Sequence, residues 1–374
     1  MREVERHLEI ARSLSNTNSF VNIHEKDAIA AAEASEARFR EGKPLGLLDG
    51  APFTVKSNYC VEGYVTSASS QMLQHYTAPY TATVIDNLQK EGAILLGQVA
   101  MDAMGMGAAG IYNDDVRGRE RGRGGEAEAE AEAERVVRRW SQTRNSWVAA
   151  GGSSSGGAVS LRGGCGLWSV ASDTGGSSRL PASWSGTLLG YKPSYGQLSR
   201  HGLIPYASSL DTVGILGGEG LLAAKDIGII LSAMQGAHPD RAHDMTHTPQ
   251  HQGEVGAVTI RSVPLLWEAL HLPHPPSLPP HLPITPLPLP LQQQLLTSLA
   301  QALPTYHILA TVEAASNLNR YDGWTGHGRV RISDADTISS SSGTSGTTST
   351  TGLKHPSALI RQHLFSQRVR QVLL

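Results

Sequence analysis

The stretch TATVIDNLQKEGAILLGQ, residues 81–98, joins an amphipathic helix to a short apolar strand. Its first part has the apolar spacing of a helix, and Gly92 stands where a helix commonly ends. AILLGQ, residues 93–98, then predicts a buried strand. A helix followed directly by a short apolar strand is typical of an α/β fold.

Two segments before this stretch have the same character. DAIAAAEASEARFREG, residues 27–42, is rich in strong helix formers and predicts a helix that Gly42 closes. GAPFTVKSNYC, residues 50–60, has apolar residues around Lys56 and predicts a buried strand. A lysine on a buried strand is unusual.

Composition excludes several classes of protein. The 374 residues carry 31 Lys+Arg and 33 Asp+Glu, a net charge of −2, which gives no global attraction to nucleic acid or anionic membrane. Cys60 and Cys165 lack C-x-x-C spacing, so we expect two buried thiols in a reducing compartment. No run of 18 apolar residues predicts a membrane span. The charged first helix lacks the apolar h-region of a signal peptide, and Glu3, Glu5 and Glu9 argue against a transit peptide.

Three low-complexity segments interrupt the globular sequence. Residues 117–134 join a Gly-Arg run to a Glu-Ala repeat, which we interpret as a solvated insertion, with an RGG-like nucleic-acid tail as the alternative. The proline-rich residues 271–291 predict neither helix nor sheet, and either a spacer or an SH3 ligand. The Ser/Thr/Gly-rich residues 333–352 predict a linker.

The loop SDTGGSSRLPA, residues 172–182, has the composition of a nucleophile loop. Gly175 and Gly176 leave the backbone N–H groups accessible to a substrate oxygen, and Ser177 stands beside them. A serine also needs a base, and burial would lower the pKa of Lys56 enough for it to serve. The alternative is a lysine whose stem is buried and whose amine reaches water.

A second loop, AAGGSSSGGAVS at residues 149–160, is either a flexible linker or a closely packed turn. It also fits G-x-S-x-G with Ser154 as an elbow nucleophile, although a Gly/Ser run matches this pattern easily. His243, His247 and His251 have the spacing of one helical face, but a proline interrupts them. We expect no metal site.

Together these loops resemble the amidase signature family. The family has a Gly-Gly-Ser-Ser-Gly-Gly loop and, 24 residues after its first serine, the serine of a Ser-Asp-Thr-Gly-Gly-Ser loop. Here GGSSSGG is followed by SDTGGSSRLPA, with 24 residues from Ser153 to Ser177, and PFTVKSN resembles the strand that bears the family's lysine. The resemblance implies an α/β fold, with a mixed central sheet covered by helices and truncated at its C-terminal end.

The resemblance also implies the roles of the site residues. Ser177 would be the nucleophile that forms the acyl-enzyme. Ser153, which the family holds by a cis peptide bond, would relay the proton to Lys56 as the terminal base. The oxyanion hole would be formed by the backbone of three residues: Thr174, Gly175 and Gly176.

Within the family, the chain is similar to the glutaminase subunits of tRNA-dependent amidotransferases, through residues 47–70, 190–216 and 303–323. This implies glutamine hydrolysis that supplies ammonia for converting Glu-tRNA(Gln) to Gln-tRNA(Gln). A B subunit would use ATP and Mg, bind most of the misacylated tRNA and receive the ammonia, and a C subunit would complete a heterotrimer. This chain would need no cofactor or membrane and would work in the mitochondrion or the chloroplast stroma. The alternatives are a general amidase and a degenerate scaffold that binds the other subunits.

The predicted organisation follows these matches. It consists of an amidase core at 1–252 with a low-complexity insertion at 114–144, a proline-rich divergent segment at 253–302, a core continuation at 303–330, a Ser/Thr-rich linker at 331–352 and a C-terminal helix at 353–374.

Two serines depart from the family pattern. Ser155 stands where the family has glycine, so its Cβ would clash if the backbone took a positive φ there. Ser178 replaces an apolar residue and would offer a competing hydroxyl beside Ser177. The family's C-terminal strands have no counterpart, which is why we expect a truncated fold.

Overall fold

The computed structural model describes residues 1–113, 137–141, 146–185, 189–218, 224–235, 246, 260–262 and 284–321. The three spaced histidines, the repeat at 117–134, the Ser/Thr-rich linker and the C-terminal helix at 353–374 lie outside these residues, so those predictions stay predictions.

The described residues form seven α-helices and ten strands. The helices are α1 (Arg2–Ser13), α2 (Glu25–Arg40), α3 (Thr83–Lys90), α4 (Ser155–Arg162), α5 (Arg179–Ser185), α6 (Ala224–Met234) and α7 (Leu289–Leu318). The strands are β1 (Phe20–Ile23), β2 (Pro52–Lys56), β3 (Ile94–Val99), β4 (Arg138–Ser141), β5 (Ser146–Ala149), β6 (Trp168–Asp173), β7 (Leu189–Tyr191), β8 (Thr212–Gly217), β9 (Ile260–Ser262) and β10 (Ile284–Pro286). Short 3-10 helices cover Leu14–Thr17, Gln71–Leu73 and Ala103–Gly105.

A six-stranded sheet organises the fold, in the order β1-β3-β2-β6-β8-β7. Strand β2 pairs in parallel with both β3 and β6, whereas β1, β7 and β8 pair antiparallel to their neighbours. The sheet is therefore mixed, and the predicted α/β class is confirmed. Strands β4 and β5 form a separate antiparallel pair.

The sheet's central strands are fully buried. Phe53 on β2 and Trp168 on β6 stack with ring centroids 5.3 Å apart, inside a core that α3 and α6 complete. The helix and strand predicted over residues 81–98 are α3 and β3, and Gly92 between them has φ +85°. A Cβ at Gly92 would lie 2.6 Å from an Asp49 carboxylate oxygen, so this turn requires glycine in two ways.

The described residues divide into two compact units, one within 1–248 and 313–374 and the other within 249–312. In the second unit, β9 and β10 pair in parallel. The prediction of no regular structure over 271–291 is wrong in the part that the structure describes, because β10 ends at Pro286 and α7 begins at Leu289. Pro290 lies in the first turn of α7, where backbone N–H groups have no helical partner and proline is tolerated. Among the described residues no helix is long and apolar enough to cross a membrane.

Candidate active site

The site lies at one edge of the sheet because β2 and β6 are parallel neighbours. Their carboxyl ends meet there, the usual location of ligand sites in open α/β sheets. Lys56 is the last residue of β2, and the loop that carries Ser177 follows the last residue of β6, Asp173. Two segments distant in sequence therefore supply the same site.

The Lys56 side chain is entirely buried, so the alternative of an amine that reaches water is wrong. Its Nζ lies 2.8 Å from Ser153 Oγ and 2.8 Å from Ser172 Oγ. Burial lowers the pKa of Lys56 to about 7, although the charges of nearby carboxylates oppose this shift. An amine with this pKa is about half neutral at pH 7 and can accept a proton.

Three carboxylates act electrostatically on the lysine. Those of Asp102 and Asp211 lie in loops, and that of Asp173 ends β6. Burial raises the pKa of Asp102 and of Asp211, although backbone N–H groups bond to both carboxylates. The negative charges of the three carboxylates favour the protonated form of Lys56, against the burial that disfavours it.

The loop at 149–160 is a packed turn, and the flexible-linker interpretation is wrong. Residues 151–160 are all buried, and α4 begins inside the loop. The Gly152–Ser153 peptide bond is cis, as the resemblance implies. The Ser153 carbonyl oxygen accepts the Asp102 N–H at 3.0 Å, and Gly152 donates its own N–H to Ala108 at 2.8 Å. Backbone hydrogen bonds thus hold Ser153 beside the lysine.

Ser154 has a structural place in this turn. Its hydroxyl donates to the Ser172 carbonyl oxygen at 3.3 Å, and its backbone N–H donates to the Ser177 carbonyl oxygen at 3.0 Å. The second bond ties the two Gly/Ser loops together. Ser154 is buried, whereas Ser177 is half-buried.

Ser177 lies next to the Ser153 loop without a hydroxyl bond to it. Its side chain makes no hydrogen bond with any residue of the described ranges. A half-buried hydroxyl without a protein partner is accessible to a substrate. The structure thus brings Lys56 and Ser153 into direct contact and places Ser177 in the adjoining loop.

The Asp173 carboxylate shapes the Ser177 loop. It accepts hydrogen bonds from the Gly176 N–H at 2.8 Å, the Ser178 N–H at 3.1 Å and the Ser178 hydroxyl at 2.7 Å. Arg179 adds bonds of 3.0 Å and 2.9 Å from its guanidinium. Burial alone would raise the pKa of Asp173, but the bonds from Arg179 and Ser178 outweigh burial and lower it.

These bonds correct two expectations. The Ser178 hydroxyl is held by Asp173 and does not compete with Ser177. The Gly176 N–H is also taken by Asp173, so this residue does not contribute its N–H to an oxyanion hole in this conformation. The N–H groups of Thr174, Gly175 and Ser177 have no backbone partner among the described residues, and they are the remaining donors of the loop.

Thr174 orients the start of the loop through its side chain. Its hydroxyl donates to the Asp211 carboxylate at 2.6 Å, and Asp211 accepts the Tyr206 N–H at 2.9 Å. The loop is therefore fixed at both ends by buried carboxylates. Neither Asp211 nor Asp102 was found from the sequence, because an isolated aspartate in a loop carries no signal of its partners.

The clash expected at Ser155 does not occur. Ser155 is the first residue of α4, and it is absent from the residues with positive φ in the described ranges. Its buried hydroxyl has no partner among these residues. Helical backbone accepts a Cβ, so serine fits where the family has glycine.

No cluster of metal-ligating side chains occurs within the described ranges. Cys60 and Cys165 are free and buried, and burial raises the pKa of Cys60 and that of Cys165, the latter to about 12. Among the described residues, no hydrogen bond links either thiol to Lys56.

The fold and this site define an α/β protein with a mixed sheet and a buried lysine beside two Gly/Ser loops. The model of a family described as Amidase matches residues 4–257, and the chain belongs to the amidase family.

Curated relatives give a finer comparison. The chain is 32% identical over 343 residues to the A subunit of the mitochondrial glutamyl-tRNA(Gln) amidotransferase of Xenopus laevis, covering 84% of this chain and 60% of that protein. The corresponding human protein is 32% identical over 349 residues, with the same coverage. That of Ixodes scapularis is 40% identical over 223 residues, 60% of this chain and 40% of the relative. The chain thus spans at most 60% of the length of these relatives.

Solved structures share the fold. One is the inhibitor-bound form of a vestigial protein complex that reveals the evolutionary origins of an s-triazine catabolic enzyme, with a TM-score of 0.61 and 22% identity over 85% of this chain and 65% of that chain. Another is the peptide amidase PAM with the competitive inhibitor chymostatin, with a TM-score of 0.58 and 20% identity over 88% of this chain and 65% of that chain. At these identities the likeness concerns the fold alone.

Proposed function

We propose that the chain is the glutaminase subunit of a tRNA-dependent amidotransferase. The observation that carries the chemistry is the buried Lys56 amine 2.8 Å from Ser153 Oγ, beside the loop of Ser177. The relatives named as A subunits of glutamyl-tRNA(Gln) amidotransferase support the choice of substrate.

In the proposed first step, Ser177 Oγ attacks the carboxamide carbon of glutamine. Ser153 accepts the Ser177 proton and passes its own proton to the neutral Lys56 amine. The N–H groups of Thr174, Gly175 and Ser177 stabilise the negative charge that develops on the carbonyl oxygen. Lys56 is suited to this role because its lowered pKa leaves it partly unprotonated at neutral pH.

In the proposed second step, the tetrahedral intermediate collapses to a glutamyl ester on Ser177. The C–N bond breaks, and the proton held by Lys56 returns through Ser153 to the departing nitrogen, which leaves as ammonia. Water then hydrolyses the ester by the reverse use of the same groups. The products are glutamate and ammonia, and the enzyme is regenerated.

The relatives' names, A subunits of a mitochondrial amidotransferase, support an assembly with further subunits. The chain would act in a heterotrimer with a B and a C subunit, in the mitochondrion as those relatives do or in the chloroplast stroma. ATP and Mg would be bound by the B subunit, which would amidate Glu-tRNA(Gln) with the ammonia and hold most of the tRNA. No cofactor is proposed for this chain.

Two alternatives keep the fold and change the chemistry. A general amidase would use the same residues on another amide. A degenerate scaffold would bind the other subunits without catalysis.

The test measures glutamine hydrolysis by the full chain, alone and co-purified with B and C subunits. Ammonia release that depends on the partners, together with Gln-tRNA(Gln) formation, supports the proposal. Hydrolysis of aryl or aliphatic amides without partners supports the general amidase. A stable complex without ammonia release would mean that the chain is a scaffold.

A further inference from the structure

A second serine contacts the lysine. Ser172, near the end of β6, accepts the Lys56 amine at 2.8 Å, and it also accepts the Asn58 side-chain N–H at 3.0 Å. All three side chains are buried, with 0% exposure for Lys56, 6% for Ser172 and 4% for Asn58. Neither contact follows from the steps described for Ser177.

The donor and acceptor capacities of these groups fix the orientation of the amine. A hydroxyl oxygen has two acceptor positions and one proton. In Ser172 the Asn58 and Lys56 donors occupy both acceptor positions, so the Ser172 proton points away from the lysine nitrogen. A neutral amine has two N–H groups and one lone pair. Lys56 directs one N–H to Ser172, and its lone pair is available to the Ser153 hydroxyl.

We infer that Ser172 and Asn58 are positioning residues, which hold the Lys56 amine so that its lone pair faces Ser153. Only the expected effect on the reaction rate rests on the proposed function. The orientation of the amine is a property of the free protein. Without Asn58, the Ser172 proton could turn to the lysine lone pair and compete with Ser153.

The charges around Lys56 set the direction of each expected effect. Asp102, Asp173 and Asp211 favour the ammonium form, and burial opposes it. The Ser172 oxygen also favours the ammonium form as an acceptor, so Ser172→Ala should lower the pKa of Lys56. Asn58→Asp should raise this pKa, because it places a carboxylate beside Ser172.

Strand β6 offers a matched control. Ser169 is a buried serine of the same strand, and its hydroxyl has no hydrogen-bond partner among the described residues. Ser169→Ala removes the same atom as Ser172→Ala without touching the lysine. Ser172→Thr keeps the hydroxyl and should rescue the effect.

The test is a pH titration of the full chain labelled with ¹³C and ¹⁵N in lysine. The Lys56 signal is assigned by its loss in Lys56→Met. We expect the midpoint to fall by about half to one pH unit in Ser172→Ala and to rise by about one unit in Asn58→Asp. It should stay at the wild-type value in Ser172→Thr and Ser169→Ala. Equal Lys56 titration midpoints in Ser172→Ala and Ser169→Ala would overturn the inference. If Ser172→Ala does not fold, a midpoint in Asn58→Asp equal to that of wild type would overturn it instead.

A kinetic measurement separates positioning from general structure. Ser172→Ala should slow acyl-enzyme formation about 10–100-fold with KM within about twofold of wild type, because Ser172 is buried and bonded to Lys56 and Asn58. Ser172→Thr should restore most of the rate. A wild-type chain that forms no acyl-enzyme even when co-purified with B and C subunits would refute the proposed function, and the titration would still decide the inference.

Discussion

The Ser154 backbone N–H donates to the Ser177 carbonyl oxygen at 3.0 Å and so joins the two Gly/Ser loops. This bond places Ser177 beside Ser153, whose hydroxyl lies 2.8 Å from Lys56 Nζ across 97 positions of sequence. The site is thus built from backbone bonds between loops as much as from the side chains that would act in it.

The first prediction tests which of Ser177 and Ser154 is the nucleophile. Ser177→Ala should reduce amide hydrolysis at least about 1000-fold and abolish the covalent adduct with a slow glutamine analogue. Ser154→Ala should still form the adduct, because the Ser154 hydroxyl is used only to bond the Ser172 carbonyl. Intact-mass spectrometry measures the adduct. An adduct on Ser177→Ala that disappears in Ser154→Ala would reverse the assignment.

A second prediction concerns stability and the lysine. The pKa of Lys56 is about 7 in the folded protein and 10.5 in the unfolded chain. Between these pH values the unfolded chain therefore binds more protons than the folded protein does. Wild-type stability should therefore rise as pH increases from about 7 to 10.5. Lys56→Met should be more stable than wild type by a few kcal/mol at pH 6, with the gain shrinking toward pH 10.

Urea unfolding at pH 6, 8 and 10 measures this difference. Lys90→Met is the control, since Lys90 is exposed and pairs with Asp86 at the surface. A stability gain of Lys56→Met that is equal at all three pH values would show that burial of the charge is not its cause. Catalysis by the same variant should be lost throughout this range.

The third prediction concerns the room around Gly152. A Cβ there would lie 2.0 Å from an Asp102 carboxylate oxygen and 2.9 Å from two backbone nitrogens. Gly152→Ala should therefore cost at least about 2 kcal/mol of unfolding free energy and abolish the acyl-enzyme. Gly228→Ala in α6 is the control, because nothing lies within 4 Å of the added Cβ. It should stabilise the helix by about 0.5–1 kcal/mol, as read from urea unfolding.

The fourth prediction concerns acid stability. Burial lowers the pKa of His24 to about 4, and its ring stacks on Tyr64 with centroids 3.4 Å apart. The folded state holds the neutral ring while the unfolded chain binds a proton below pH 6.5, so stability should fall as pH drops from about 6.5 to 4. His24→Gln should remove about 2–3 kcal/mol of the loss in unfolding free energy over this pH range. Parallel curves for the two proteins would refute the assignment.

The sequence predicted the chief elements of the sheet because their patterns are local. The apolar run around Lys56, the strand after Gly92 and the helix formers of α2 each satisfy a spacing that short segments carry by themselves. The prediction failed at the proline-rich segment, where Pro290 lies in a helix's first turn and costs no hydrogen bond.

By itself, the sequence determined the α/β class, the candidate residues Lys56, Ser153 and Ser177, and the 24-residue spacing of the two serines. Only the tertiary structure decided that Gly176 and Ser178 donate hydrogen bonds to Asp173 and that the Ser172 hydroxyl accepts a hydrogen bond from the Lys56 amine. The reason is physical: residue type and spacing limit which groups are available, whereas hydrogen-bond partners depend on which strand ends the sheet brings together.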